Sequence, residues 1–208
     1  MMITDIREAD GGKNIRKKAY KIYIDDSYAF LLYESELNQL QLSKGAEIST
    51  DVYNTIVEDV VFYRAKKKAL NMLTHSDKTE KEIYNRLKEE YYNDDIIERT
   101  ITYLKGYNYL NDERYAEGYI NSRKGKESRL AIETKLLNKG INKSVLEKII
   151  AKEYNTEEDG KDPEILAINK ILLNKCDNPT KLSCEEKQKL IKMLERKGFD
   201  LDKIYKCM

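Results

Sequence analysis

The sequence of 208 residues has few of the residues that interrupt regular secondary structure, with only 2 prolines and 9 glycines. So small a share excludes collagen-like, low-complexity and loop-rich chains. Charged residues make up 36% of the chain and hydrophobic residues 40%. Because Lys, Glu, Leu and Ile dominate, this balance predicts a mainly α-helical protein with long solvent-facing surfaces and enough chain to bury a core.

Cysteine and histidine are also scarce. The three cysteines are Cys176, Cys184 and Cys207, an odd number at uneven spacing, and His75 is the only histidine. This set fits neither a disulfide framework nor the usual zinc-binding patterns. We therefore expect no metal site, no cofactor and a reducing, cytoplasmic setting.

Long apolar runs and an excess of one charge are missing as well. No run approaches the roughly 18 residues of a membrane-spanning helix. The first twelve residues include three acidic ones, unlike a secretory signal. With 38 basic and 37 acidic residues, the net charge is +1, so no global field attracts nucleic acid or membrane. We expect no membrane contact and, without a heptad pattern, a monomer.

The amino-terminal third has the pattern of a small β unit. Residues 3–8 and 28–33 are apolar or aromatic runs, and residues 20–24 alternate with the period of two of a half-buried strand. Asp25-Asp26 supplies a turn between two of these runs. The pattern predicts a hairpin or a three-stranded meander closed by Gly11-Gly12. Because so small a sheet is marginal alone, we expect a short helix at residues 35–40 to support it.

An internal repeat occupies the rest of the chain. Residues 82–101, 131–150 and 189–208 align without gaps. Four apolar positions correspond in the three copies: Ile83, Ile132 and Leu190; Leu87, Leu136 and Leu194; Tyr92, Ile141 and Phe199; Ile97, Leu146 and Ile204. A polar capping residue follows the third position each time. Each copy therefore predicts two helices joined by a tight turn, with one apolar stripe through both.

Helix boundaries carry their own signals. Thr79-x-x-Glu82 and Ser183-x-x-Glu186 are capping boxes, which satisfy free backbone donors of a first turn. Gly106, Gly140 and Gly198 each stand where a helix is expected to end in the left-handed conformation. In the first repeat, Tyr91 occupies the position that corresponds to Gly140 and Gly198.

The spacing of the repeats leaves room for a leading helix before each pair, at residues 50–73, 112–124 and 164–175. We therefore predict three tandem three-helix units in an elongated array. The predicted domains are a β-rich extension with a short helix (1–49), three-helix repeats 1 (50–110) and 2 (111–154), an acidic linker (155–163) and three-helix repeat 3 (164–208).

No catalytic constellation is apparent. Gly11-Gly12-Lys13 is an isolated turn rather than a phosphate-binding loop, and His75 has no catalytic partner nearby. Acidic residues Asp94, Asp95 and Asp112 would suit a metal-dependent nuclease, but each also opens a predicted helix. We therefore expect a protein that is not an enzyme, with the nuclease kept as a minor alternative.

The basic stretch is the remaining candidate. Residues 123–143 contain seven basic and two acidic residues, a local charge of +5, whereas residues 151–164 contain six acids and two lysines. Basic side chains can contact nucleic-acid phosphates whatever the base sequence, although a solvent-exposed helix face explains this cluster of basic residues equally well. The candidate contact residues are Arg123, Lys124, Lys126, Arg129, Lys135 and Lys139.

Several strings in residues 65–150 resemble the RecX family, regulators of the bacterial RecA recombinase. They are ALNML at 69–73, TEKEI at 79–83 followed by Leu87, GYNYLNDERYA at 106–116, RKG at 123–125 and KGI at 139–141. The eleven-residue string is the most specific of them. The third repeat matches the family only as a pattern, and the amino-terminal part resembles an extension that some members carry.

The resemblance implies three-helix repeats and a non-enzymatic protein that binds the RecA nucleoprotein filament on single-stranded DNA. The resemblance also implies that the protein lies in the groove of the filament. There it would modulate, and usually inhibit, the ATP hydrolysis, strand exchange and coprotease activity of RecA. On this hypothesis the six basic residues contact RecA or weakly bound single-stranded DNA, with duplex DNA as a further candidate. The main alternative is a helix-turn-helix DNA-binding protein using residues 131–150, with Lys143 and Lys148 facing a groove.

Overall fold

The computed structural model of the chain describes residues 1–9, 17–155, 162–175 and 182–208. Gly11-Gly12, Cys176 and most of the predicted acidic linker lie outside these residues. The chain divides into two compact units, unit 1 (Met1–Asn111) and unit 2 (Asp112–Met208). In the described part of the chain, no helix is long and apolar enough to cross a bilayer.

Unit 1 combines a small sheet with the first helical repeat. Its strands are β1 (Ile3–Glu8), β2 (Ala19–Ile24) and β3 (Ser27–Tyr33). Its helices are α1 (Glu34–Gln39), α2 (Thr50–Thr55), a π-helical segment (Ile56–Phe62), α3 (Tyr63–His75), α4 (Glu80–Lys88) and α5 (Asp94–Gly106). The helix predicted at residues 50–73 is the continuous run from α2 to α3.

The predicted meander is confirmed. The strands form an antiparallel sheet in the order β1-β2-β3, and Ile22 of β2 faces Phe30 of β3. Asp25 and Asp26 have φ angles of +46° and +63°, which is the backbone of the two-residue turn that matches strand twist. The sheet does not form a core by itself: Ile3 and Ile22 belong to the same buried cluster as Leu87 of α4. Contact with the helices supplies the burial that three short strands lack.

Unit 2 contains six helices in its described residues. They are α6 (Asp112–Arg123), α7 (Arg129–Asn138), α8 (Lys143–Asn155), α9 (Pro163–Leu173), α10 (Cys184–Arg196) and α11 (Leu201–Lys206). The mainly helical architecture with three helix triplets is therefore confirmed. The exact domain boundaries drawn from the sequence remain predictions.

The apolar stripe of the repeat is the core of each triplet. Of the twelve corresponding residues, eleven are buried, and Leu190 is half-buried. Both capping boxes are present: Thr79 accepts from the backbone N–H of Glu82 and Ser183 from that of Glu186, with the reciprocal bonds formed. The local signals therefore placed the starts of α4 and α10 correctly.

The turns of the repeat adopt the left-handed conformation in all three copies. Gly140 and Gly198 have φ angles of +93° and +83°, and Tyr91 has +62° despite its side chain. The Tyr91 carbonyl accepts from the Tyr28 hydroxyl of β3, and Lys21 Nζ lies 3.9 Å from the Tyr91 ring centroid. Contacts with the sheet thus hold a conformation that costs a non-glycine residue about 1–2 kcal/mol.

The predicted helix end at Gly106 is confirmed, but the left-handed conformation predicted for this glycine is wrong. Gly106 is the last residue of α5, and the left-handed residue is Asn108, with φ of +56°. Asn tolerates this region because its short polar side chain bonds locally. The left-handed turn therefore comes slightly later in the chain than the glycine suggested.

Candidate functional site

The six predicted contact residues lie on one segment of unit 2. Arg123 is the last residue of α6, and Lys124 and Lys126 flank Gly125 in the turn that follows. Arg129 begins α7, where Ser128 caps the helix by accepting from the Ala131 N–H. Lys135 and Lys139 follow on α7 and at its end. The three-dimensional neighbours of these cations decide which of them are available to a partner.

Glu127 lies between two of the predicted cations. Its carboxylate is 3.5 Å from Arg123 Nη1 and 2.7 Å from Lys135 Nζ. Lys126 is exposed and donates from Nζ to the Ser122 carbonyl at 3.0 Å. Because both cation side chains around Glu127 are about half exposed, these pairs are worth at most about 1 kcal/mol. A phosphate or an acidic side chain of a partner can therefore replace Glu127 at little cost.

Lys124 has a structural contact instead. Its Nζ donates to Glu153 Oε2 of α8 at 2.8 Å, and the Glu153 side chain is only 13% exposed. The hydrogen bond from Lys124 lowers the pKa of Glu153 below its ordinary value. Lys124 therefore ties the α6–α7 turn to α8.

Arg129 is surrounded by carboxylates. Its Nε lies 2.7 Å from Glu133 Oε1, and its backbone N–H donates to the buried Glu164 at 2.9 Å. The guanidinium also lies 5.8 Å from the Tyr154 ring, whose burial raises the pKa of its hydroxyl to about 12. Arg129 lines a cleft of about 820 Å³ whose other charged residues are mostly acidic. Its electrostatic surroundings therefore favour a structural role over phosphate contact.

Repeats 2 and 3 are joined at this cleft. Ser128 Oγ donates to the Lys197 carbonyl of repeat 3 at 2.6 Å, and Glu164 of repeat 3 accepts from the Arg129 N–H at 2.9 Å. Within repeat 3, Lys203 Nζ donates to Glu164 Oε2 at 2.7 Å. Burial lowers the pKa of Lys203, but hydrogen bonds to Asp162 and Glu164 outweigh burial and raise it above its ordinary value. The third repeat is therefore fixed to the second by buried or half-buried polar contacts.

The remaining predicted residue, Lys139, lies over an aromatic surface. Its Nζ is 5.3 Å from the Tyr115 ring centroid, and Tyr115 stacks on Tyr119 at 6.3 Å. Arg123 also lies over Tyr119, at 5.8 Å. We call Arg123, Lys126, Lys135 and Lys139 the unit-2 basic face, because their charges lie on exposed or half-exposed side chains.

A second basic surface lies in unit 1, outside the basic stretch that the sequence predicted as a contact site. A cleft of about 810 Å³ is lined by basic residues from four places: the segment just before β2, helix α3, the α3–α4 connection and helix α4. Its basic lining residues are Lys17, Arg64, Lys67, Lys68, Lys78 and Arg86. These residues are spread over 70 positions of the chain, so no sequence window adds up their charge. The run Lys66-Lys67-Lys68 was the one local sign of it.

The acidic residues considered for a nuclease have other contacts. Asp94 accepts from the Tyr84 hydroxyl and from Lys88, and Asp95 lies 3.9 Å from Arg99. Asp112 begins α6. Within the described residues, no group of three or more metal-binding side chains is present.

The sequence was compared with protein-family models and with known proteins. The family model described as RecX, first three-helix domain, matches residues 65–104, and the model described as RecX, second three-helix domain, matches residues 111–149. The regulatory protein RecX of Clostridium acetobutylicum is 32% identical over 192 residues, which cover 91% of this chain and 88% of that protein.

Solved structures agree with these matches. The crystal structure of a regulatory protein RecX is similar with a TM-score of 0.59 and 25% identity, covering 99% of this chain and 98% of that one. The crystal structure of RecX from Lactobacillus salivarius has a TM-score of 0.57 and 25% identity, covering 70% of this chain and 93% of that one.

Proposed function

The chain belongs to the RecX family of regulatory proteins, and on that premise we propose that it is a non-enzymatic regulator of RecA. It binds the RecA filament on single-stranded DNA, within the filament groove, as a cytoplasmic monomer. There it modulates, and usually inhibits, ATP hydrolysis, strand exchange and coprotease activity. The observation that carries the proposal is the 32% identity to a RecX protein over nine-tenths of the chain.

The charge distribution supports this role. A net charge of +1 gives no general attraction to DNA, so a locally basic surface has to select the contact. The unit-2 basic face offers such a surface, since its weak pairs with Glu127 give way to DNA phosphate or to acidic RecA side chains. Lys124 contributes by holding the α6–α7 turn to α8 through Glu153, and Arg129 by joining the start of α7 to Glu164 of α9.

The direct test measures RecA's ATP hydrolysis on single-stranded DNA while this protein is titrated in. Inhibition well below one protein per RecA is expected, because a bound regulator acts on a filament rather than on one subunit. No effect at equimolar amounts, with the protein shown to be folded, would break the proposal.

A triple variant then tests the site. Arg123→Glu, Lys126→Glu and Lys135→Glu together should raise the concentration for half-inhibition roughly tenfold or more, since each lost contact costs about 0.5–1 kcal/mol. Lys124 and Arg129 are left unchanged, because Lys124 pairs with the largely buried Glu153 and Arg129 lies beside the buried Glu164. Because the new carboxylates at positions 123 and 135 lie near Glu127, circular dichroism checks that the triple variant is folded. The matched control replaces the exposed Lys170, Lys189 and Lys192 of repeat 3 by Glu, which changes the net charge by the same amount. Equal inhibition by the two triple variants would contradict the assignment.

The helix-turn-helix alternative predicts base recognition by α8. The exposed residues of that helix include Lys143, Ser144, Glu147 and Lys148, and Lys143 lies 3.9 Å from Glu147. These side chains lack the Asn, Gln and Arg set that reads base edges. A sequence-specific protein prefers its site over random duplex by about a thousandfold or more. We expect no such preference in a competition binding assay.

A further inference from the structure

The cleft of unit 1 is a concentration of positive charge that the RecA proposal does not use. Six of its lining residues are basic, and none of the described residues that line it carries a carboxylate. It also contains His75, Asn71 and Ser76, which add hydrogen-bonding groups, and the apolar edges of Tyr33 and Met72. Like charges gathered in one cleft repel one another, so the arrangement has to be supported by the fold or by an anionic ligand.

Three of the six cations are explained by the fold. Arg64 is largely buried, contacts the Glu36 carboxylate and donates to Tyr92 Oη at 3.0 Å and the Leu31 carbonyl at 2.6 Å. It joins the sheet to α3. Lys68 and Arg86 share Glu90, whose side chain is 3% exposed, with Arg86 Nε at 3.3 Å. These contacts hold the walls of the cleft in place.

The other three cations have no such explanation. Across the described residues, no carboxylate lies within 4.0 Å of the ammonium groups of Lys17, Lys67 or Lys78. Lys67 is exposed on α3, Lys78 precedes the cap of α4, and Lys17 precedes β2. Three separate segments therefore bring ammonium groups that have no carboxylate partner among the described residues to one cleft whose walls carry further positive charge. This convergence favours an anionic ligand.

The shape and chemistry of the cleft select the kind of anion. Sites for a single phosphate group typically use backbone N–H groups at a glycine-rich loop or helix N-terminus, and none of the described lining residues is a glycine. Flexible lysines in an open cleft instead follow a chain of phosphates without reading sequence. Tyr33 and Met72 offer apolar surface for unpaired bases.

We propose that this cleft binds the sugar–phosphate backbone of single-stranded nucleic acid, with Lys17, Lys67 and Lys78 as its direct contacts. It is a second site, on a different unit from the unit-2 basic face. The proposal does not rest on RecA, because the ligand is recognised by unit 1 itself.

The test uses the full chain and a fluorescent oligodeoxythymidylate of about 20 nucleotides, with binding followed by anisotropy between about 50 and 200 mM salt. The variant combines Lys17→Ala, Lys67→Ala and Lys78→Ala. Affinity at the lower salt should fall roughly tenfold or more. The slope of log K against log salt should become shallower by about 2, since each single-strand phosphate contact contributes about 0.7.

The matched control combines Lys170→Ala, Lys189→Ala and Lys192→Ala, which removes the same charge from exposed positions of repeat 3. It should change affinity by less than about twofold, because a shift in net charge alone is a small effect at this salt. Circular dichroism melting curves check folding, and the single variant Lys67→Ala, at an exposed position, should give about a third of the change in slope.

Several results would overturn the proposal: no oligonucleotide binding, equal losses in the two triple variants, or displacement of the oligonucleotide by stoichiometric ATP or polyglutamate. The first of these, combined with intact inhibition of RecA, would reject the cleft and leave the RecA proposal standing. If the oligonucleotide binds through the cleft but the protein has no effect on RecA, the RecA proposal is rejected and the cleft proposal stands.

Discussion

The contact between the turn at Gly198 and the start of α7 gives a sharp prediction for Gly198→Ala. A Cβ atom at this position would lie 3.1 Å from Ser128 Oγ and 3.3 Å from Leu130 Cβ. Ser128 cannot easily turn away, because its Oγ accepts from the Ala131 N–H and donates to the Lys197 carbonyl. The new methyl group would therefore push against the cap of α7 and loosen repeat 3 from repeat 2.

Two costs add up in this variant. The left-handed backbone at φ +83° costs a residue with a Cβ about 1–2 kcal/mol. Crowding at a well-packed contact adds about 1–3 kcal/mol. Gly125→Ala provides the control, since Gly125 has a similar φ of +77° but no heavy atom of the described residues within 4 Å of the added Cβ. It bears the first cost only.

Thermal unfolding followed by circular dichroism measures the difference. For a chain of this size, 1 kcal/mol corresponds to about 2–4 °C in Tm. Gly198→Ala should therefore melt roughly 2–12 °C below Gly125→Ala, and both should melt below the unmodified protein. Equal melting temperatures for the two variants would refute the close approach of the Gly198 turn to α7.

Further predictions concern the strained turn and the buried ion pair. Tyr91→Gly should be more stable than Tyr91→Ala by about 1 kcal/mol in urea unfolding, because both lose the ring but only glycine adopts φ +62° without strain; equal stabilities would show that the turn relaxes. Lys203→Met should cost about 1–3 kcal/mol at neutral pH, since it leaves Glu164 buried without its cation. Because the folded-state pKa of Lys203 is raised, its contribution is complete below the ordinary value of 10.5 and is lost as pH rises above it. The stability gap between the two proteins should therefore narrow on alkaline titration, and a constant gap would contradict the ion-pair account.

Helix positions were largely predictable from the sequence because their signals are local. Thr79 and Ser183 start helices through bonds to residues three positions away, and the apolar stripe repeats within twenty residues. Gly106 shows the limit of such signals: a glycine permits a left-handed turn, but the structure places that turn at Asn108. Packing, rather than the presence of a glycine, selected the residue.

The candidate sites were less predictable because charges interact through space. The stretch at residues 123–143 has a net charge of +5, yet Glu153 from α8 pairs with Lys124, and Glu164 from α9 lines the same acidic cleft as Arg129 and accepts from its backbone N–H. Those two partners lie 29 and 35 positions away along the chain. The local sum therefore overstated how many cations are available to a partner.

The sequence by itself determined the three helix triplets, their caps and the family to which the chain belongs, because hydrogen bonding within helices and apolar periodicity depend on near neighbours. Only the tertiary structure decided which charges meet. It gathered Lys17, Lys67 and Lys78 into one cleft of unit 1 and placed carboxylates around Arg129 in unit 2. Coulomb energy depends on distance in space, and folding sets that distance independently of separation along the chain.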